Sequence, residues 1–176
     1  EMSPYMFPQI RLQRAAGVNC GRFSPEEAGK YLMKKEKMVL PAEKFEKRSR
    51  YWLLDRAQAG ESCMKQGGTV QCQAGRSAFW ITWDGNMGPC GLMTEPEADV
   101  KDMGFAASWE YIRGAVSRIR LPLECSRCKD RDLCNVCAAM CQSETGRFDE
   151  KPEYICRMSP AGKEEYRKQA ERGTYG

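Results

Sequence analysis

Histidine is missing from this sequence altogether. Its absence excludes every Ser-His or Cys-His nucleophile and every imidazole metal ligand. No apolar run approaches the roughly 20 residues that a membrane helix needs, and the mean hydropathy is −0.65, so the chain reads as soluble, with no membrane partner. Charge of one sign is not in excess either: 28 Lys and Arg face 24 Asp and Glu, a formal +4. That balance is too even to argue for nucleic acid or an anionic membrane surface. No charged segment with an apolar stretch behind it follows Glu1, so no signal peptide is read. The start without Met reads as a piece of a longer chain, and a reducing, cytoplasmic setting is expected.

What is present is a globular composition with a surplus of thiols. At 176 residues, 41% hydrophobic and 10% aromatic, the chain suits one domain, or a small domain with appendages, and wholesale disorder is excluded. Residues 1–23 carry prolines and no period and read as an entry segment. Ser24-Pro25-Glu26-Glu27 reads as a helix start, with Ser24 as cap, Pro25 in the first position and Glu27 completing a capping box. Ala28, Tyr31, Leu32 and Val39 mark its apolar stripe up to Leu40, before Pro41. A second helix is expected from Ala42 to Gln58, with Phe45, Trp52 and Leu53 inward and Gly60 as the stop.

After Gly67-Gly68 the period changes to that of strands. Ala78 to Trp83 places Phe79, Ile81 and Trp83 on one face and Ala78, Trp80 and Thr82 on the other. Asp84-Gly85-Asn86 is a hairpin turn signal, and Met87 to Met93 is the expected return strand. Trp109, Ile112, Val116 and Ile119 recur at helical spacing before Pro122. Ser159-Pro160 reads as the start of a polar, peripheral C-terminal helix to about Arg172.

Ten cysteines need an explanation: Cys20, Cys63, Cys72, Cys90, Cys125, Cys128, Cys134, Cys137, Cys141 and Cys156. Residues 125–141 read CSRCKDRDLCNVCAAMC, five thiols within seventeen residues. A C-x2-C step lets two thiolates approach one metal centre from a single turn. Three explanations compete. Five disulfides would crowd bridges into adjacent turns of a chain expected in a reducing compartment. A four-thiolate zinc site on Cys125, Cys128, Cys134 and Cys137 would leave only five residues between its pairs, against roughly fifteen to twenty in zinc ribbons. Iron–sulfur clusters suit eight or nine all-cysteine ligands without a single histidine, four thiolates to each of two cubanes. Asp130 and Asp132 read as turn caps, and Arg127 and Arg131 as solvent-facing or as offsets to cluster charge.

The spacing Cys72-x12-Gly85-x4-Cys90, then Cys125-x2-Cys128-x5-Cys134, a further cysteine soon after and a last one at Cys156 resembles the SPASM domain, the C-terminal auxiliary-cluster domain of many radical S-adenosylmethionine enzymes. The phrase FWITWDGNMGPCGLM is similar to that family's hairpin, and the resemblance covers about residues 63–158. It implies an α+β fold: a small cysteine-rich module with a β-hairpin and cluster-binding loops, preceded and followed by helices. Residues 1–60 would lead out of a missing barrel, 61–158 would hold two 4Fe–4S clusters, and 159–176 would form the terminal helix. The first cluster is expected on Cys63, Cys72, Cys90 and a late thiol, the second on Cys125, Cys128, Cys134 and Cys156. The family commonly has its late thiol where Ala138 stands, between Cys137 and Cys141. Either reaches, one helical turn apart, and the reading takes Cys141. Without Cys63, the first cluster would have an open iron for a substrate thiol, amine or carboxylate. Cys20 lies outside the pattern and reads as an idle thiol.

The resemblance also implies a parent enzyme that cleaves S-adenosylmethionine reductively at a third 4Fe–4S cluster and modifies a peptide or protein substrate. A low-potential donor such as ferredoxin or flavodoxin would supply electrons. The C-x3-C-x2-C motif that binds that third cluster is absent, so the chain alone would not generate the radical. Sulfatase-maturing members carry an Asp after the second motif cysteine, where this chain has Gly91. The alternative is a free-standing electron-transfer or structural zinc-binding interaction module without catalysis.

Overall fold

A computed structural model of the protein describes residues 22–53, 68–128, 130, 134 and 136–173. Its elements run α1 (Pro25–Val39), α2 (Ala42–Leu53), β1 (Trp80–Ile81), β2 (Asn86–Gly88), β3 (Ala98–Asp99), α3 (Val100–Met103), α4 (Phe105–Arg118), α5 (Leu123–Ser126), α6 (Ala138–Thr145) and α7 (Glu153–Gly173). The class is α+β, with a small three-stranded antiparallel sheet ordered β1-β2-β3. The chain divides into two compact units. A helical unit takes residues 1–62, 132–134 and 153–176, and a sheet unit takes 63–131 and 135–152.

The helical unit begins as its sequence dictates. The Ser24 hydroxyl accepts the Glu27 amide at 3.2 Å, and the Glu27 carboxylate accepts the Ser24 amide at 3.0 Å. This reciprocal pair satisfies amides that a helix start otherwise leaves unbonded; the Ser24 hydroxyl also donates to the Glu27 carboxylate at 2.7 Å, and this bond first and the Ser24 amide second hold the Glu27 carboxyl below its ordinary pKa. The buried face of α1 is Ala28, Gly29 and Met33. Tyr31 and Val39, expected in that stripe, are exposed. Gly29 decides the difference. A Cβ there would lie 2.8 Å from the Gly162 amide nitrogen and would overlap the Met158 carbonyl, so α1 and α7 touch backbone to backbone along the Gly29 face.

The terminal helix departs from expectation in two ways. It starts at Glu153, so Pro160 lies inside it, and it is core rather than periphery, burying Ile155, Met158 and Tyr166. An interior proline cannot donate the bond to the carbonyl four residues back, a loss of about 3 kcal/mol. Burial of three large side chains, each stabilising by about 1.5–3 kcal/mol, outweighs it. Met33, Phe45 and Tyr166 form one apolar cluster with Leu40 against it, and Tyr166 donates to Glu36. Phe45 is buried as expected on α2. The segment from 54 to 58 of the expected second helix lies outside the described residues.

The sheet unit has shorter elements. Trp80 pairs with Gly88 and Ile81 with Met87, while Met87 also pairs with Ala98 on β3. The turn forms where expected: Gly85 sits at φ 93° and donates to the Thr82 carbonyl at 3.0 Å, a conformation open to glycine at no steric cost. The return strand, expected to run on to Met93, stops at Gly88, because Pro89 has no amide for the ladder. Phe79, Trp80, Ile81 and Trp83 are all exposed, Trp83 by 98%, so neither of the two expected faces is buried. Beneath the strands, α4 buries Ser108, Ile112 and Val116, with Met87 fully enclosed and Ala98 nearly so. Phe79 meets Phe105 and Trp109 edge-on, at centroid distances of 5.3 and 5.7 Å. Among the described residues no helix is long and apolar enough to cross a membrane.

Candidate metal centre

Cys72 stands on an exposed loop. The Gln73 carbonyl accepts the amides of Arg76, Ser77 and Ala78 at 3.0, 3.1 and 3.0 Å, and the Gly75 amide returns to the Ala78 carbonyl at 2.9 Å. Gly75 holds the bend at φ 64°, where a Cβ would lie 2.6 Å from a Val116 methyl carbon. Further back, the Leu121 amide donates to the Gly68 carbonyl, tying the start of this loop to the segment after α4. Cys90 is half-buried beyond Pro89, and its carbonyl accepts the Met93 amide at 3.3 Å. The Trp80 ring lies over Gly91, where a Cβ would be 3.3 Å from it. Asp84, in the intervening turn, has its pKa lowered mainly by the Thr82 hydroxyl.

The dense run is organised in two local steps. Pro122 to Arg127 forms a tight turn in which the Cys125 amide reaches the Pro122 carbonyl at 3.0 Å and the Cys128 amide the Cys125 carbonyl at 3.4 Å. The C-x2-C pair thus occupies a single turn, with Cys125 buried and Cys128 exposed. Cys137 caps α6 from an extended conformation, and the Cys141 amide donates to the Cys137 carbonyl at 3.0 Å. That places the two alternative thiols one helical turn apart, with Cys141 fully buried and Cys137 half-buried. Cys134 and Cys156 are half-buried and belong to the helical unit, whereas Cys72, Cys90, Cys125, Cys128, Cys137 and Cys141 belong to the sheet unit. Cys20 and Cys63 lie outside the described residues.

Cys72, Cys90, Cys128 and Cys137 are free thiols, so a framework of five disulfides is not formed. The donor chemistry fits a thiolate-bound iron–sulfur group: the thiols are numerous, paired on turns, and without histidine competitors. The arrangement does not yet make a coordination sphere, since among the described residues no three Cys, Asp or Glu side chains come together closely enough to hold a metal ion. No protein-family model, curated protein or solved structure matches this chain.

The motif reading did not anticipate a cleft of about 740 Å³ in the sheet unit, lined from the Cys72 loop by residues including Gly75 and Arg76 and from α4 by Glu110, Arg113, Gly114 and Ser117. Its one signal in the sequence was a glycine at position 114, inside a segment of helical period.

Proposed function

We propose that this chain is the auxiliary-cluster portion of a radical S-adenosylmethionine enzyme that modifies a peptide or protein, its thiols holding two 4Fe–4S clusters in a SPASM-like module. The observation that carries the reading is the cysteine spacing, from Cys72 through Cys90, Cys125, Cys128 and Cys134 to Cys156, with a glycine at 85. Two local features support it. Gly85 adopts a positive φ that the turn before Cys90 demands, and Cys125 and Cys128 share one turn. In this reading Cys63, Cys72, Cys90 and Cys141 hold the first group and Cys125, Cys128, Cys134 and Cys156 the second, with Cys137 as the alternative to Cys141. When bound, such clusters supply one-electron transfer at low potential or a place to hold substrate. The residues of this chain act as anionic ligands whose loops are drawn into place by the metal, as in other small metal-dependent modules. S-adenosylmethionine and the third cluster belong, in this reading, to a barrel outside the chain, and a low-potential donor such as ferredoxin or flavodoxin is a separate partner.

Iron, acid-labile sulfide and zinc per chain, measured after strictly anaerobic reconstitution, test the reading. About eight irons and eight sulfides are expected, and Cys141→Ala should drop the iron toward four while Cys137→Ala leaves it near eight. About one zinc without sulfide overturns the proposal in favour of a structural zinc module.

A further inference from the structure

The cleft beside the Cys72 loop has the makings of a binding site in its own right. Glu110, Arg113, Gly114 and Ser117 recur at the spacing of one helix face and form one wall. The hydrogen-bonded bend that carries Gly75 and Arg76 also lines it. At about 740 Å³ the space is of the size that ligand sites commonly have.

Gly114 is the informative residue. A glycine inside a helix costs about 1 kcal/mol relative to alanine, and neither conformation nor packing asks for one here. Its φ is not positive, and an added Cβ would meet only an Arg118 guanidinium nitrogen, at 3.7 Å. What the glycine does is put no side chain on the α4 wall of the cleft. Arg113 donates to Glu110 at 3.0 Å through one nitrogen. The Arg76 guanidinium has no ion-pair partner among the described residues. Two guanidinium groups and one carboxylate give the lining a net charge of +1. A polyanion would meet repulsion at Glu110. A peptide segment bearing one carboxylate would not, since guanidinium forks bind carboxylates and Glu110 can accept a neighbouring peptide N–H.

We propose that this cleft binds a carboxylate-bearing peptide segment, with Arg76 and Arg113 on the carboxylate, Glu110 accepting a peptide N–H, and the peptide backbone passing over Gly114. The site stands apart from the iron–sulfur reading, and its test needs no metal.

The test uses the isotope-labelled full chain and three acetylated tetrapeptides, followed through amide resonances. One is Gly-Glu-Gly-Gly with an amidated C-terminus, one is tetraglycine with a free C-terminus, and one is the neutral Gly-Gln-Gly-Gly amide. Saturable shifts at residues 69–76 and 110–117, below about 5 mM peptide, are expected from at least one of the first two. The first alone identifies a side-chain carboxylate, the second alone a C-terminal one. Arg76→Gln should weaken that binding by roughly tenfold or more, and Gly114→Leu should abolish it with the helical circular dichroism unchanged. Binding of the neutral peptide as tight as the acidic ones, no saturable shift from either carboxylate peptide, or full affinity in Arg76→Gln overturns the proposal.

Discussion

The helical unit and the sheet unit hold together by different means. In the first, helices of 15, 12 and 21 residues close on Met33, Phe45 and Tyr166, and α1 meets α7 where Gly29 and Gly162 allow backbone contact. In the second, strands of two or three residues, two helices of four and one of eight accompany a single longer helix of 14, and six of the eight described thiols lie in this unit. The two longest helices and most of the described thiols thus lie in different units. Where the chain builds long helices it needs little else, because a helix face satisfies its own backbone while burying its side chains. Where it builds loops, backbone amides are bonded piecemeal, as around Gln73, and the cross-links of the proposed clusters would have the most to add.

The contrast can be broken most decisively by loading the metal. Reconstitution with iron and sulfide should slow amide exchange in residues 68–90 and 123–145 by more than about tenfold, while α1 and α2 stay as they were. Equal protection of both regions in hydrogen-exchange mass spectrometry would erase the distinction. Next come the two cores. Ile112→Ala, at a fully buried position of α4, should cost about 2–5 kcal/mol in urea unfolding and open the sheet unit. Gly29→Ala should cost about 1–3 kcal/mol by overpacking α1 against α7, with the loss of exchange protection confined to the helical unit. A variant whose damage appears in the other unit would show that the two are one cooperative block.

The smallest effect is in acid. Glu26 has its pKa lowered, by its own backbone amide first and then by Arg157, and Glu27 by the Ser24 hydroxyl. A carboxyl with a depressed folded-state pKa contributes stability that is complete above its unfolded value of 4.5 and is lost as pH falls through the lower folded value. The melting temperature of the helical unit should therefore decline below about pH 4.5, and Glu27→Gln should flatten that decline. An unchanged slope in the variant would remove the capping box from the account.

The legible parts of both units are those whose signals are local. Ser24, Pro25 and Glu27 cap and start α1 through bonds that span three residues, and Asp84-Gly85-Asn86 turns the chain through one backbone conformation. The C-x2-C and C-x3-C steps likewise place Cys125 with Cys128 and Cys137 with Cys141 on single turns. The misses have a common cause in partners distant along the chain. Pro160 read as a helix start because its missing amide is a local penalty, yet Ile155, Met158 and Tyr166 have a core to enter and the helix runs through it. The strand at Ala98–Asp99 has no alternating pattern to announce it and exists because Met87 offers it a ladder partner.

What the amino-acid sequence determined by itself was the inventory and the local geometry: all-thiolate donors with no imidazole, the capped helix, the glycine turn, and the pairing of cysteines within a turn. Those follow from covalent chemistry and from hydrogen bonds a few residues long. Tertiary structure decided which face of α1 is buried, that the polar-looking terminal helix is core, and that Arg76 and Arg113 line one cleft. Each of these depends on surfaces brought together from distant parts of the chain, and no spacing rule encodes such a meeting.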